Sequence, residues 1–299
     1  MATPGEHKTV QARILAYAKE VGWAVVPREE AERRRGFNAE ATGSERAKGA
    51  SLYFEDLLDA QVRHFNPRYT EAAGALPGKL HFLHTDIYGN RDFLQYLRNQ
   101  GKFFDHEEDR ERDLVLIDYS DDLSLPREKW RNVYEVTEEW VTNNGHHGTR
   151  QDVVFLINGI PVLVIECKNA TKDEGIALGI DQLRRYHRET PEVMVPQQLF
   201  TATDAIGFKY GVTWNTVYRN IFTWKHEEVG KLEAKVKSFC AIPQVMALLK
   251  DYIIFAEKDE ELNKYILRQH QTTAVEKVVQ RGLDPVRRRG LVWHTQGSG

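Results

Sequence analysis

The sequence predicts a mixed α/β fold in which a β-sheet core is flanked by helices. Two nearly continuous apolar runs, residues 153–157 and 160–165, are separated by Asn158-Gly159, the dipeptide most typical of a tight hairpin turn. Because both runs are apolar at every position, we expect this hairpin to lie in the centre of the sheet, covered on both faces. Helical periodicity precedes it at residues 10–21 and follows it at residues 175–188.

The remaining elements are assigned from hydrophobic periodicity and from turn residues. Further helices are predicted at residues 51–65, 92–99, within 225–250 and at 271–279. Further strands are predicted at residues 114–118, 132–136, 193–203, 221–223 and 291–293. The charged stretch 29–50 is predicted to be an exposed loop. We place a boundary near residues 257–265, which gives a first domain of residues 1–256 and a second segment of residues 257–299.

Composition excludes several classes of protein. The 299 residues are 41% hydrophobic and 28% charged, which is typical of a globular protein of more than one domain. No apolar run approaches the roughly 20 residues that cross a bilayer, so no membrane partner is expected. The two cysteines, Cys167 and Cys240, form no C-x-x-C pair, which favours a reducing cytoplasm over a disulfide framework. The formal net charge of -3 argues against bulk coating of nucleic acid, although local basic clusters occur.

The chemically suggestive residues are Asp152, at the start of the hairpin, and Glu166 and Lys168, at its end. Residues two apart in a strand share a face, so Glu166 and Lys168 are expected to point to the same side. Carboxylate oxygens are the ligands that Mg²⁺ prefers, and such an ion can activate water for phosphodiester cleavage. We therefore take Asp152 and Glu166 as candidate ligands of Mg²⁺, with Mn²⁺ as a substitute ion. Lys168 would position the attacking water or offset charge in the transition state.

A bare D…E-x-K spacing also describes a surface hairpin with charged ends. A charge at the mouth of a buried strand costs on the order of several kcal/mol unless it is paired or bound to a metal, which favours the metal site. The hairpin register is the sharper test. A strict two-residue turn would pair Asp152 with Ile165 and leave Glu166 on the opposite face. We therefore predict a three-residue loop or a bulge, helped by Pro161, that places Asp152 opposite Glu166.

Gln182 and Tyr186 are four residues apart in the predicted helix 175–188 and so lie on one side of it, with several arginines nearby. Gln182 could orient a water or a phosphate, and Tyr186 could stack or donate a hydrogen bond. The spacing is common by chance and a buried Tyr is usually a core residue, but its position after an E-x-K strand favours a role in the site.

Three other features are weaker candidates. Glu6, before the first helix, is a candidate additional acidic ligand. The pair His146-His147 follows Asn-Asn-Gly and is expected to be a solvated turn, because adjacent histidines seldom converge on one ion. Cys167 lies between the two catalytic candidates and is expected to face the opposite, packed side as a core residue.

These residues resemble a known family. DVVFLINGIPVLVIECKN is similar to the nuclease motif of the motor (HsdR) subunits of type I restriction enzymes, and IDQLRRYHRE resembles the Q-x-x-x-Y element of RecB-like nucleases. GNRDFLQYLRNQG and LVLIDY support the same resemblance. YILRQHQTTAVEKVV, followed by GLVWHTQGSG, resembles the adenine-reading Gln motif and the start of the phosphate-binding loop of a superfamily 2 helicase motor. The resemblance covers essentially the whole chain and is weakest from residue 29 to residue 79.

The resemblance implies that residues 1–256 form a restriction-endonuclease-like mixed sheet of the PD-(D/E)xK nuclease type. The catalytic set that it implies is Asp152, Glu166 and Lys168, with Gln182 and Tyr186 assisting. It also implies that residues 257–299 begin a RecA-like helicase domain. Gln271 would face the adenine of ATP, and the phosphate loop would begin with Gly297, Ser298 and Gly299. ATP binding is expected only in the full-length subunit, because the loop's Lys and Ser or Thr would follow Gly299.

Three functions follow as hypotheses. The first is a Mg²⁺-dependent endonuclease that cuts duplex DNA without its own sequence specificity, coupled in the full protein to ATP-driven translocation. Its expected partners are the methyltransferase and specificity subunits of a restriction complex in a prokaryotic cytoplasm. The alternative is a non-cleaving DNA-binding or docking module that joins the motor to the methyltransferase core. An ATPase is the third, and its motif is incomplete in this sequence.

Overall fold

A computed structural model of the chain describes residues 6–168, 174–224, 230–287 and 289–293, with side chains from residue 10 onward. Its helices are α1 (Glu6–Glu20), α2 (Arg28–Arg34), α3 (Glu55–Phe65), α4 (Ala75–His81), α5 (Ile87–Leu97), α6 (Gly175–Glu189), α7 (Pro191–Met194), α8 (Leu232–Phe239), α9 (Ile242–Ala247) and α10 (Gln269–Leu283). Its strands are β1 (Ala24–Val25), β2 (Lys102–Asp105), β3 (Arg110–Asp113), β4 (Tyr134–Asn143), β5 (Gly148–Ile157), β6 (Ile160–Cys167), β7 (Leu199–Thr203), β8 (Phe208–Val212), β9 (Phe222–Thr223), β10 (Ile253–Lys258) and β11 (Glu261–Ile266).

Seven strands form one mixed sheet in the order β1-β4-β5-β6-β7-β8-β9. The pairs β1–β4 and β6–β7 are parallel, and the other neighbours are antiparallel. The hairpin β5–β6 lies in the middle, and every residue of β6 is buried, as its apolar sequence predicts. Because each fully buried Val, Leu or Ile contributes roughly 1.5–3 kcal/mol, this hairpin dominates the core.

Helices cover both faces of the hairpin. Trp23, just after α1, packs edge-on against Phe155 with ring centroids 4.9 Å apart, and α1 itself packs across β4, β5 and β6. On the other face α6 packs across β5, β6 and β7. Side chains alternate along a strand, so Phe155 faces α1 while Asp152, three residues earlier, faces α6. The prediction of a mixed sheet flanked by helices is confirmed.

The Asn158-Gly159 turn has two residues. Both have positive φ (53° and 81°), as a type I′ turn requires, and Ile157 pairs with Ile160. A Cβ on Gly159 would lie 2.7 Å from the carbonyl oxygen of Phe54, so glycine also permits the close approach of the chain before α3. The turn and its packing therefore both require this dipeptide.

The prediction of a strand at residues 114–118 is wrong. Leu116 is buried, but residues 116 and 117 lie in a bend, and the backbone of the segment bonds asparagine side chains. Asn66 accepts from the N–H of Val115 at 2.9 Å and donates to its carbonyl at 2.8 Å, and Asn99, Asn132 and Asn158 bond the following backbone groups in the same way. Because side-chain amides satisfy these groups, no neighbouring strand is needed. A β-strand and this segment therefore have the same apolar pattern, although their backbones find different partners.

Three further predictions need correction. Residues 29–50 are not a plain loop, because they include α2 and a 3₁₀ turn at Gly43–Ala47. The charged side chains of α2 make tertiary contacts, such as the 2.8 Å ion pair between Arg34 and Glu135, which a loop assignment overlooks. Of the strand predicted at 193–203 only β7 is present, since the proline of α7 begins a short helix. Residues 291–293 form no strand, and Trp293 is exposed.

The C-terminal part contains a hairpin that the sequence did not predict. β10 and β11 pair in register from Ile253↔Ile266 to Lys258↔Glu261, so the boundary placed at residue 257 falls inside this hairpin. Of the helical region predicted at 225–250, the structure has α8, α9 and a π turn at Leu248–Tyr252, while residues 225–229 lie outside the described part. α10 extends the helix predicted at 271–279 at both ends. None of the described helices is long and apolar enough to cross a membrane.

Candidate functional site

A β-bulge in β6 sets the geometry of the site. Leu156 pairs with Pro161, but the next residue, Phe155, pairs with Leu163, so Val162 is the extra residue. Pro161 has no N–H to donate, and its place near the start of the strand is one of the positions where a sheet tolerates proline. The bulge shifts the register by one residue, which moves every later side chain of β6 to the other face relative to β5.

The shift brings the two candidate carboxylates together. Val153 pairs with Ile165, so the next residues outward, Asp152 and Glu166, stand opposite each other on one sheet face. Both are buried, with 2% and 0% of their surface exposed. The N–H of Cys167 donates to Asp152 Oδ2 at 2.8 Å, which fixes the orientation of that carboxylate. The register agrees with the predicted offset, which a bulge provides in place of a longer turn.

Glu166 is held by a tyrosine and faces a lysine. Tyr186 OH lies 2.9 Å from Glu166 Oε1, and Lys168 Nζ lies 3.5 Å from Oε2. Glu166 Oε2 is buried and accepts no hydrogen bond from any described residue. Burial, and then the charge of Asp152, raise the pKa of Glu166 well above its ordinary value. Full ionisation of the carboxylate pair is therefore disfavoured, even with Lys168 beside it.

Gln182 and Tyr186 connect the lysine to the carboxylates. Gln182 Oε1 accepts a hydrogen bond from Lys168 Nζ, and its Nε2 donates to Tyr186 OH. The single hydroxyl proton of Tyr186 can be donated either to Glu166 or to the carbonyl oxygen of Arg150. Burial raises the pKa of Tyr186 well above its ordinary value, which keeps this donor protonated. The helix thus directs both residues toward the carboxylates.

Gly179 lets α6 approach the sheet. A Cβ at this position would lie 3.3 Å from the Cβ of Ala202, 3.7 Å from the Cβ of Glu166 and 3.8 Å from Cγ of Lys168. A larger side chain would push the helix away from β6, and with it the Gln182 and Tyr186 side chains. The sequence analysis did not single out this glycine, although its place one turn before Gln182 is a usable signal.

Arg150 is an exposed basic residue near the site that the sequence analysis did not single out. It precedes Asp152 by two positions in β5, so the two share a face. Its side chain is 53% exposed and lies 3.4 Å from Glu139, a carboxylate that Arg28 already pairs with more closely. An R-x-D spacing at the end of a buried strand is the signal that would have found it.

The donor set fits a hard divalent cation. Two carboxylates face each other in a buried position, and no described residue donates a hydrogen bond to one oxygen of Glu166. A cation bound there would offset the charge that now raises the pKa of Glu166. No group of three or more His, Cys, Asp or Glu that could hold a metal occurs among the side chains that the structure describes. Mg²⁺ is commonly held by one or two carboxylates and keeps several waters, so two ligands suffice.

The other candidates lie elsewhere. Glu6 begins α1, but its side chain is outside the described part. His146 and His147 are exposed in a turn whose backbone N–H groups bond Asn144, as predicted. Cys167 is fully buried, as predicted for a core residue. Gln271 Oε1 accepts a hydrogen bond from the N–H of Arg268 at the start of α10. The predicted phosphate-loop residues, Gly297, Ser298 and Gly299, lie outside the described residues.

Comparison with known proteins places the chain in a family. The family described as type I restriction enzyme R protein N terminus matches residues 4–217, which is most of the chain. This chain therefore belongs to that family.

Individual relatives agree with the family match. The MjaVIIP endonuclease subunit of a type I restriction enzyme of Methanocaldococcus jannaschii is 32% identical over 171 residues, which are 50% of this chain and 16% of that protein. The SauCOLORF180P endonuclease subunit of a type I restriction enzyme of Staphylococcus aureus (strain COL) is 27% identical over 182 residues, which are 58% of this chain and 19% of that protein. The chain thus spans about a fifth of the length of these relatives.

Proposed function

We propose that this region is the Mg²⁺-dependent endonuclease domain of a type I restriction enzyme motor subunit, and that it hydrolyses phosphodiester bonds of duplex DNA without its own sequence specificity. The observation that carries the proposal is the bulged hairpin, which sets two buried carboxylates opposite each other. In the described part of the chain, one Glu166 oxygen of this pair receives no hydrogen bond. Lys168 beside them and the family match support the same reading. Mn²⁺ is expected to substitute for Mg²⁺.

Asp152 and Glu166 would hold the cation. The Cys167 N–H orients Asp152, and Tyr186 OH orients Glu166, so neither carboxylate needs to reorganise on binding. When bound, Mg²⁺ supplies a polarised water and offsets charge on the phosphate oxygens. The burial of the pair excludes competing water from the carboxylates, which strengthens their hold on a cation.

Lys168 has a separate role in this mechanism. Its ammonium group is held by Gln182 and lies 3.5 Å from Glu166 Oε2, with 13% of its side chain exposed. It can therefore reach a phosphate at the mouth of the site while staying oriented from inside. A positive charge fixed there would position the attacking water or offset the charge that develops on the phosphoryl oxygens. Gln182 and Tyr186 assist by holding Lys168 and Glu166 in place.

The wider assignments belong to the same proposal. We assign the sheet to the restriction-endonuclease-like fold and α10 to the first helix of a RecA-like helicase domain. Val279 and Leu283 of α10 are 52% and 79% exposed, and the rest of such a domain would cover them. Gln271 at the start of α10 would contact adenine, so ATP-driven translocation belongs to the full-length subunit. Methyltransferase and specificity subunits would be its partners, in the cytoplasm.

A nicking assay tests the proposal. Supercoiled plasmid is incubated with the assembled restriction complex, Mg²⁺ and ATP, using the wild-type subunit and its Asp152→Ala, Glu166→Ala and Lys168→Ala variants. We expect cleavage by the wild type and none by the three variants, while Asp181→Ala, which removes an exposed carboxylate from the same helix as Gln182, cleaves normally. If the three variants cut like the wild type, the site is elsewhere. If the wild type binds DNA but never cuts it, the docking function replaces the nuclease.

A further inference from the structure

A lysine that pairs with no described carboxylate is fully buried in the hairpin β10–β11. Lys264, in β11, has 0% of its surface exposed, and no described carboxylate forms an ion pair with it. Its Nζ donates to Asn90 Oδ1 at 2.7 Å, Gln198 Oε1 at 2.8 Å, the Gln198 carbonyl at 3.0 Å and Thr213 Oγ1 at 3.0 Å. Burial, and then the charge of Arg98, lower the pKa of Lys264 well below its ordinary value. Acceptor oxygens around Nζ favour the ammonium form.

These contacts join the hairpin β10–β11 to the body of the protein. Asn90 lies in α5, Gln198 directly precedes β7, and Thr213 directly follows β8. The backbone of Lys264 is fixed as well, because Asn215 Nδ2 donates to its carbonyl oxygen at 2.6 Å. An arrangement that removed these contacts would leave buried polar groups unpaired, so the contacts favour the observed placement of the hairpin on the sheet.

Further hydrogen bonds lead from the acceptors of Lys264 to strand β5. Thr213 Oγ1 donates to the carbonyl of Gln197 at 2.6 Å, and Asn90 Nδ2 donates to the same carbonyl at 3.0 Å. The side chains of Gln197 and Gln151 exchange two hydrogen bonds, at 2.8 and 2.6 Å. All of these side chains are buried. Gln151 is the residue before Asp152, so this route ends beside one carboxylate.

A second route ends on the bulge in β6. Gln198, which gives Lys264 two of its four acceptors, donates its own backbone N–H to the carbonyl of Val162 at 2.9 Å. Val162 is the extra residue that brings Glu166 opposite Asp152. Two successive hydrogen bonds, through Gln198, therefore connect Lys264 to the bulge that sets the register of the site.

We propose that Lys264 is a positioning residue for the candidate active site: through Thr213, Gln197 and Gln151 on one route and Gln198 on the other, it fixes both strands that carry the carboxylates. The hairpin β10–β11 is then part of the scaffold of the site, and the structural unit extends through Ile266. The expected effect of Lys264 on cleavage rests on the proposed function. The hydrogen-bonded connection from Lys264 to β5 and β6 does not depend on it.

Amide hydrogen exchange on the intact subunit, read by mass spectrometry, tests the link. Lys264→Met removes the ammonium and keeps the length of the side chain. Thr213→Val is a milder variant that removes the shorter of the two hydrogen bonds on the Gln197 carbonyl, keeps the one from Asn90, and leaves the lysine three acceptors. The matched control is Lys235→Met, which removes another buried lysine, one whose Nζ contacts only the Ile206 carbonyl, at 3.5 Å, among the described residues.

We expect Lys264→Met to speed exchange by about tenfold or more in peptides covering β10–β11, in the peptide covering Gln151 and at the Gln198 amide. Thr213→Val is expected to speed exchange in the Gln151 peptide while β10–β11 stays protected, and Lys235→Met to act only near α8. Faster exchange confined to the hairpin in Lys264→Met, or an unchanged Gln151 peptide in Thr213→Val, would overturn the proposal. If Lys264→Met does not fold, the Thr213→Val result decides.

Cleavage is measured on the same samples to separate this proposal from the proposed function. We expect Thr213→Val to lower the rate of nicking at saturating DNA, with the affinity for DNA unchanged. If the wild-type complex never nicks DNA, the proposed function fails, but the exchange data still decide whether Lys264 holds the two strands. If nicking by Thr213→Val equals that of the wild type while the Gln151 peptide exchanges faster, Lys264 does not position the site.

Discussion

The protein buries charge in two places and surrounds the charge differently in each. Around Lys264 four oxygens accept from one ammonium group. Asp152 and Glu166 share a sheet face, and one Glu166 oxygen receives no hydrogen bond from the residues that the structure describes. A buried charge that its surroundings satisfy stabilises one arrangement of the chain, whereas a buried charge that they leave unsatisfied costs stability unless something else binds there.

The difference separates a structural site from a functional one. Lys264 needs no ligand, because neutral oxygens from α5 and from residues next to β7 and β8 surround it. The carboxylates are oriented by the Cys167 N–H and Tyr186 OH, yet burial and their closeness to each other disfavour the charged form of Glu166. Two oriented carboxylates whose joint ionisation is disfavoured are the condition expected of a site that a cation would stabilise.

The largest expected effect is the loss of cleavage in Glu166→Gln. The variant keeps the shape of the side chain but removes one ligand charge, so we expect the rate of nicking to fall by about a thousandfold or more, roughly 4 kcal/mol in transition-state free energy. The free energy of unfolding should stay the same or rise, because the repulsion from Asp152 is removed. Plasmid nicking and urea unfolding measure the two quantities. A variant that loses stability but keeps activity would reverse the comparison.

Lys264→Met should lower the stability of the fold, in contrast to Glu166→Gln. Removing the ammonium leaves four buried oxygens without their donor, so we expect the free energy of unfolding to fall by about 3–5 kcal/mol. Urea unfolding followed by tryptophan fluorescence measures the change. Lys258→Met, on the same hairpin but exposed, is the control and should change stability by less than about 0.5 kcal/mol. If the two variants lower the free energy of unfolding equally, the four contacts of Lys264 do not stabilise the fold.

Tyr186→Phe should weaken the site without destroying it. The variant removes the hydroxyl that orients Glu166 and keeps the ring that packs in the core, so we expect a loss of about tenfold to a hundredfold in metal affinity. Calorimetric titration with Mn²⁺ measures the affinity. An unchanged affinity would mean that the tyrosine only packs.

The smallest effect is a pH dependence of stability in the absence of metal. The pKa of Glu166 is raised in the folded state, so the folded protein binds a proton that the unfolded protein releases. Stability from this group is therefore fully present below the ordinary pKa of a glutamate and is lost as pH rises through the raised pKa, by at most about 1.4 kcal/mol per pH unit. Urea unfolding at a series of pH values should show this slope in the wild type, and a reduced slope in Glu166→Gln and with added Mg²⁺. If the wild type, Glu166→Gln and the wild type with Mg²⁺ all show the same slope, the pH dependence does not come from Glu166.

Much of the site could be predicted from local sequence. The Asn158-Gly159 turn, the apolar runs and the chemistry of Asp152 and Glu166 together required an offset register, and the bulge at Val162 provides it. The i, i+4 spacing also placed Gln182 and Tyr186 on one side of α6. These features lie within 35 residues or depend on simple periodicity, which is why sequence patterns capture them.

The rest depended on partners far away in the chain. Lys264 contacts Asn90 across 174 positions, and nothing near either residue indicates the other. The segment 114–118 has the apolar pattern of a strand but finds asparagine side chains, such as that of Asn66, in place of a neighbouring strand. Propensity and periodicity describe what a segment tends to form, while these contacts depend on what the fold brings beside it.

Mn²⁺ binding to metal-free protein is the most direct test of the central claim that Asp152 and Glu166 form a cation site. Isothermal titration at pH 8 compares the wild type with Asp152→Asn, which keeps the size of the side chain, and with the exposed-site control Asp181→Asn. We predict saturable binding by the wild type and by Asp181→Asn, and a loss of at least about a hundredfold in affinity in Asp152→Asn. Binding by Asp152→Asn with the wild-type affinity would contradict the claim.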